Sequence, residues 1–97
     1  MSETRVPPGP RFRVDNSPAA QRDIHRLAAP DAARLRGPIL ALAWEPRPPG
    51  ARKLRGSDFW RIRLGGLRVV YAMVEDRALV IILRVARRDE ATYRRLR

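Results

Sequence analysis

Arginine is the residue type in this sequence best suited to chemistry, and in one stretch it alternates with apolar residues. Residues 53–71 read KLRGSDFWRIRLGGLRVVY, in which two alternating apolar and basic runs flank a Gly65-Gly66 pair. Such a pair predicts a β-hairpin with a two-residue loop, in which both glycines have positive φ. This loop sets Arg63 directly opposite Arg68, because residues pair outward from the turn. The arginines that then share one face of the hairpin are Arg61, Arg63 and Arg68.

The pairing of Arg63 with Arg68 is unfavourable in an isolated sheet. Like charges directly opposite each other cost roughly 0.2–1 kcal/mol, and an anionic partner would remove that cost. A solvated face with splayed guanidinium groups is the alternative, but three arginines on one short face favour a phosphate-binding surface. The opposite face of the hairpin is apolar and is predicted to join the core. Its members are Trp60, Ile62, Leu64, Leu67, Val69, Tyr71 and Met73.

Composition sets the class of partner. The chain has 97 residues, enough for one domain, and a formal net charge of +11. That charge predicts a polyanionic partner, such as nucleic acid, a membrane surface or an acidic protein. The chain has no cysteine and a single histidine, His25, so a transition-metal site is not expected. No apolar run approaches the roughly 20 residues of a membrane span and no signal-peptide core is present, which predicts a cytoplasmic protein.

The elements before the hairpin are predicted to be a strand and two helices. Residues 1–10 contain three prolines and are predicted to be a disordered tail, followed by a short strand over residues 11–15. Ser17 and Pro18 predict the start of a helix, as N-cap and first helical residue. The helices are expected over residues 18–28 and 31–44, as an antiparallel pair, with a kink or break at Gly37-Pro38. The residues expected to face the core are Ala20, Ile24, Leu27 and Ala28, then Leu35, Ile39, Leu40, Leu42 and Ala43.

The elements after the hairpin's first strand complete the sheet. Strands are predicted over residues 67–74 and 79–85, joined by a three-residue turn. The second of these is almost continuously apolar and is expected to lie centrally. The three-residue turn would place Leu79, Ile81, Leu83 and Val85 on the core face and Arg84 on the basic face. Residues 86–97 are predicted to include a short C-terminal helix. The predicted fold class is α+β, with two helices on a mostly antiparallel four-stranded sheet.

Over residues 11–97 the chain resembles the RelE/ParE superfamily of bacterial toxins from toxin–antitoxin pairs. The resemblance is carried by KLRG at 53–56, FWRIRLGGLRVVY at 59–71 and VIILRVARRDEATYRR at 80–95, in that order. It implies a single small RelE-like domain. RelE-type members enter the ribosomal A site and cut the bound messenger, whereas ParE-type members act against DNA gyrase. The RelE-type motifs are the closer match, which implies a ribosome-dependent mRNA endoribonuclease that inhibits translation.

The resemblance also assigns residues to the site. The reaction is attack of a ribose 2′-OH on the adjacent phosphodiester, without metal or other cofactor, and it leaves a 2′,3′-cyclic phosphate. Guanidinium groups placed at the phosphate would stabilise the charge that develops in the transition state, while a tyrosine would stack on a base. The implied catalytic residues are Arg61, Arg63, Arg68, Arg88 and Tyr93. The implied RNA-binding residues are Lys53, Arg55, Arg84 and Arg87.

Departures from the family pattern leave alternatives open. Arg61 and Arg63 occupy positions that are often lysine in relatives, and a guanidinium stays protonated at neutral pH. Asp89 or Glu90 could act as the base instead, or positioning and charge alone could suffice. One extra residue between Arg88 and Tyr93 weakens the tyrosine assignment, and Ala86 replaces a common glycine. A gyrase-inhibiting toxin and a non-catalytic module that binds antitoxin or nucleic acid are the alternatives.

The resemblance implies a defined set of partners. These are a cognate antitoxin, the messenger in the ribosomal A site and ribosomal RNA, without a membrane. With the antitoxin, a heterotetramer or larger assembly is expected.

Overall fold

The computed structural model describes residues 9–87, which form two α-helices and five β-strands around one sheet. The elements in chain order are β1 (Arg13–Asn16), α1 (Pro18–His25), α2 (Ala29–Ala41), β2 (Arg52–Lys53), β3 (Phe59–Leu64), β4 (Leu67–Val74) and β5 (Leu79–Arg87). A 3-10 turn, Glu75–Arg77, joins β4 to β5. The predicted C-terminal helix and residues 1–8 of the predicted tail lie outside the described residues.

The sheet has the strand order β1-β5-β4-β3-β2. Strand β1 pairs in parallel with β5, and the other neighbours are antiparallel, which confirms an α+β fold with a mostly antiparallel sheet. Strand β5 has neighbours on both sides, as its apolar run predicts. The sheet has five strands and not four, because Arg52 and Lys53 pair with β3 as a separate short edge strand.

The central hairpin has the predicted register. Leu64 pairs with Leu67, and Arg63 pairs with Arg68. Only the first glycine of the loop has positive φ, at +64° for Gly65, so the expectation of positive φ at both glycines is wrong. One positive φ at the first central position is typical of a type II′ turn, which also matches the twist of a hairpin.

The core lies between the two helices and the predicted apolar face of the hairpin. All seven hairpin residues assigned to this face belong to it, with Trp60, Leu64 and Met73 only partly buried. The buried helix and β5 residues in the same cluster are Ala20, Leu35, Ile39, Leu42, Val80, Ile82 and Val85.

The helices are Pro18–His25 and Ala29–Ala41, whereas residues 18–28 and 31–44 were predicted, and two side chains differ from the prediction in their exposure. Ala28 is exposed because α1 ends at His25, and Leu40 is 56% exposed because it points away from its buried neighbour Ile39. The predicted cap is confirmed, since the Ser17 Oγ accepts a hydrogen bond from the Ala20 amide at 3.0 Å. Helix α2 continues across Gly37-Pro38 and is not divided there.

The predicted register of β5 is wrong. Four residues, 75–78, separate Val74 from its partner Leu79, whereas the prediction assumed three. One more residue reverses the alternation of faces, so Val80 and Ile82 enter the core in place of Leu79 and Ile81. A β-bulge then lies opposite Val70 and Tyr71, and it restores the alternation so that Val85 faces the core as predicted.

Candidate nucleic-acid interface

The face of the sheet opposite the helices carries the arginines of the hairpin. Arg61, Arg63 and Arg68 alternate with the core residues of β3 and β4, and they lie together on this face. We call it the arginine face. Arg52 of β2 pairs directly with Arg61 and joins it. The sheet therefore contains two directly opposed arginine pairs, Arg63 with Arg68 and Arg52 with Arg61.

Sequence reasoning missed Arg52 and chose Lys53 instead. Lys53 pairs with Trp60, whose side chain belongs to the core side of the sheet. Its ammonium lies 4.0 Å from the Asp58 carboxylate, at the limit of an ion pair. The Gly56-Ser57-Asp58 turn signal could have identified a second hairpin and hence the face of Arg52. Arg55 lies exposed in that turn, outside the ladder.

The two long strands of the arginine face, β3 and β4, carry no negatively charged residue. No acidic residue occurs between Phe59 and Val74. Arg61 and Arg68 are partly buried and Arg63 is exposed. Within residues 9–87 the buried Arg61 Nε finds no hydrogen-bond partner. A buried donor without an acceptor costs about 1–3 kcal/mol, so an anionic ligand that reached this group would recover a local cost.

A small apolar cluster lies beside these charges. Leu54, Val70 and Ala86 are buried in it, and Phe59 and Leu83 pack against it. Val70 pairs with Arg61, and Ala86 pairs with Arg68. Apolar surface of this kind supports the aliphatic stems of arginine and leaves the guanidinium groups at the water. The arrangement suits an extended polyanion such as single-stranded RNA, which presents both phosphates and apolar base faces.

Arg84 is not on the arginine face as the sequence predicted. Its Nε and NH2 groups donate to the two carboxylate oxygens of Asp23 on α1, at 2.9 and 3.0 Å. The Val85 amide donates to the same carboxylate at 2.8 Å. The turn before β5 is one residue longer than predicted and reverses the faces of the strand up to Arg84, so Arg84 points toward α1, and the predicted faces return only at Val85. Burial raises the pKa of Asp23, but the Arg84 and Val85 hydrogen bonds outweigh it, and the pKa is lowered overall.

Arg87 is also directed away from the arginine face. It pairs with Leu67, a residue of the core side, and its NH2 group donates to Asp31 of α2 at 2.7 Å. Both Arg84 and Arg87 therefore connect the end of β5 to the helices. Arg88 and Tyr93, and the possible bases Asp89 and Glu90, lie outside the described residues.

Tyr71 has a structural role on the core side of the sheet. Its hydroxyl donates to the Pro46 carbonyl at 2.6 Å, which ties the loop after α2 to β4. Burial raises its pKa to about 12, against the opposing charge of Arg47. Arg47 in turn lies 5.5 Å from the Trp60 ring and pairs with Glu75 at 2.7 Å.

Residues 9–87 contain no group of three or more side chains that could together hold a metal ion. Neither helix in this range is long and apolar enough to span a membrane.

Comparison with known proteins identifies the family. Residues 14–92 match the model of the ParE toxin of the type II toxin–antitoxin system parDE. The chain belongs to this family. It is therefore a toxin of a type II toxin–antitoxin system, within the RelE/ParE superfamily that its motifs indicated.

The similar proteins with more specific names are RelE toxins. A Methanocaldococcus jannaschii protein named as a RelE1 toxin is 28% identical over 85 residues, which cover 84% of this chain and 94% of the relative. The RelBE2 toxin–antitoxin complex of Mycobacterium tuberculosis is similar in structure, with a TM-score of 0.73 and 28% identity, over 82% of this chain and all of the other. The intact E. coli RelBE complex has a TM-score of 0.71 at 23% identity, over 81% and 99% of the two chains, and so shares the fold.

Proposed function

We propose that this toxin is a ribosome-dependent endoribonuclease that cuts messenger RNA in the ribosomal A site. The observation that carries the proposal is the clustering of Arg61, Arg63 and Arg68 on one sheet face formed by β3 and β4, two strands that contain no acidic residue. A fold selected only for stability gains nothing from two opposed arginine pairs. A site that binds a phosphodiester uses all of these charges.

The chemistry requires concentrated positive charge. When the 2′-OH oxygen attacks the adjacent phosphorus, a bond to phosphorus forms and the bond to the 5′ oxygen breaks. The 5′ oxygen takes up a proton from water, which leaves a 2′,3′-cyclic phosphate and a 5′-hydroxyl. Negative charge on the phosphoryl oxygens is greatest in the transition state. Guanidinium groups fixed in advance therefore stabilise the transition state more than the substrate. Arg61 is suited to this role because its side chain is partly buried and its buried Nε is a donor without an acceptor among residues 9–87.

Proton transfer needs a further group. The arginines supply charge and geometry but no base, since guanidinium stays protonated at neutral pH. Asp89 or Glu90, in the segment after Arg88, is proposed to accept the 2′-OH proton. Arg88 would add charge at the phosphate, and Tyr93 would stack on a base to hold the strand in line for attack.

The proposed partner that controls the toxin is an acidic antitoxin segment. The RelBE2 and RelBE relatives are toxin–antitoxin complexes, and a net charge of +11 favours an acidic partner on this chain. Association with a purified antitoxin should slow steeply as salt rises toward physiological strength. An association rate that did not change with salt would contradict the electrostatic part of the proposal.

A second candidate is inhibition of DNA gyrase, the activity that the resemblance implies for ParE-type members, and a ParE toxin model matches residues 14–92. Brief induction of the toxin in bacteria separates the two. Mapping of messenger 5′ ends should show cuts within codons, only on messages that are being translated. Intact messages together with double-strand DNA breaks would instead support the gyrase candidate. The absence of both cleaved messages and DNA breaks would support a non-catalytic module.

A further inference from the structure

Asp23 is the only charged residue among residues 9–87 that is buried, with 8% of its surface exposed. Its carboxylate accepts three hydrogen bonds, two from the Arg84 guanidinium and one from the Val85 amide, all between 2.8 and 3.0 Å. Its contacts therefore join the last turn of α1 to two consecutive residues of β5.

These two residues follow the bulge directly. Val70 pairs with Arg84 while Tyr71 pairs with Ile82, so Leu83 is the additional residue in β5. A bulge of this kind leaves a residue without a place in the ladder and bends the strand. The carboxylate of Asp23 thus fixes the strand at the point where its regular pairing is interrupted.

The bulge decides which face the end of β5 presents. Because a shift of one residue turns every following side chain to the other face, the bulge places Val85 in the core and Ala86 opposite Arg68. Without it, Val85 would be on the arginine face and Ala86 would point toward the helices. The packing beside Arg68 and Arg61 therefore depends on the bulge.

Stability alone does not account for a buried ion pair. Replacing such a pair with apolar residues is often neutral or stabilising, and the best-attested use of buried charge is to select one register. The lowered pKa of Asp23 keeps the carboxylate ionised at neutral pH, so it can accept all three hydrogen bonds there.

We propose that Asp23 is a positioning residue of the RNA site, because its clamp on Arg84 and Val85 holds the bulge that sets the end of β5 against Arg68. This inference rests on the proposed ribonuclease function. Asp23 lies on the helix side of the sheet and acts on the reaction only through the strand.

The test compares Asp23→Asn with a matched control, Asp15→Asn. Asp15 is also an aspartate bound by two arginine nitrogens, those of Arg13, but Arg13 lies on the same strand, β1, so these bonds do not join α1 to the bulge. In Asp23→Asn a side-chain NH2 group replaces one carboxylate oxygen. An N–H donor of Arg84 or Val85 then faces another donor instead of an acceptor. We expect kcat for messenger cleavage on programmed ribosomes to fall about tenfold or more, within the range that small misplacements produce, while KM changes little. Asp15→Asn should match the wild type.

A second measurement is independent of cleavage. Cross-strand NOEs between Arg68 and Ala86 report the register of the purified toxin, and we expect them to weaken in Asp23→Asn but not in the control. If Asp23→Asn does not fold, Arg84→Lys carries the test, because it keeps the charge but loses the two-point contact and should lower kcat partially. Folded variants with wild-type kcat and wild-type NOEs would overturn the inference.

The two proposals can fail separately. A wild-type toxin that does not cleave messenger on ribosomes would refute the proposed function, whereas the NOE comparison would still decide whether Asp23 holds the register. A rise in KM alone for Asp23→Asn, with kcat and the NOEs unchanged, would overturn the positioning role and indicate direct contact with RNA.

Discussion

Replacing Arg63 with glutamine should make the toxin more stable and less active. Arg63 is exposed and lies directly opposite Arg68. Directly opposed like charges cost a sheet roughly 0.2–1 kcal/mol. Arg63→Gln removes this repulsion and keeps a polar, exposed side chain. The free energy of unfolding should therefore rise by roughly 0.2–1 kcal/mol.

The activity should change in the opposite direction. If Arg63 stabilises the transition-state phosphate, its loss should slow cleavage by roughly 10²–10³-fold, the effect of removing one preplaced donor. A gain in stability with a loss of activity is typical of residues retained for function.

The stability assay should use urea, since guanidinium salt would screen the charges. At low ionic strength the gain should be largest, and near 1 M salt, where the screening length is about 3 Å, it should almost disappear. Arg77→Gln is the control, because Arg77 is an exposed arginine in the turn at the other end of β4. A lower stability for Arg63→Gln, or an equal gain in the control, would refute the cross-strand reasoning.

Three further predictions concern the fold. Gly65→Ala should destabilise the hairpin by about 1–2 kcal/mol, because the φ of +64° at this position is strained for alanine. Gly66→Ala is the control and should have little effect. Equal losses of stability in urea unfolding would contradict the type II′ assignment. Tyr71→Phe should cost about 0.5–1.5 kcal/mol through loss of the bond to the Pro46 carbonyl, and in the wild type one of the two tyrosines should ionise near pH 12 in an absorbance titration. The Asp23 pKa is lower in the folded than in the unfolded chain, so its contribution to stability is present above the unfolded pKa and is lost as the pH falls through the folded value. Acid unfolding curves of the wild type and Asp23→Asn should therefore converge at low pH.

The sequence predicted best where the pattern was local and strict. The alternation on both sides of Gly65-Gly66 determines the hairpin register and the faces of Arg61, Arg63 and Arg68, because a two-residue loop leaves no freedom of pairing. The cap at Ser17 is equally local, since one hydroxyl reaches one amide three residues away.

The errors arose where tertiary contacts decide. The faces of β5 depend on a loop that is one residue longer than assumed and on a bulge, and no sequence pattern identifies either. The apolar run of β5 does not indicate which of its residues face the core, since Leu, Ile and Val occur at consecutive positions. Arg84 and Asp23 lie 61 residues apart in sequence, so their ion pair could not be found from local spacing.

The most direct test of the central claim is cleavage of a defined messenger on purified, programmed ribosomes by the purified toxin. We predict a cut within the A-site codon that leaves a 2′,3′-cyclic phosphate, a rate at least about 10²-fold lower for Arg61→Ala, and a wild-type rate for Arg77→Ala. A messenger that stays intact with the wild-type toxin, or an Arg61→Ala variant that is folded and cuts at the wild-type rate, would contradict the account.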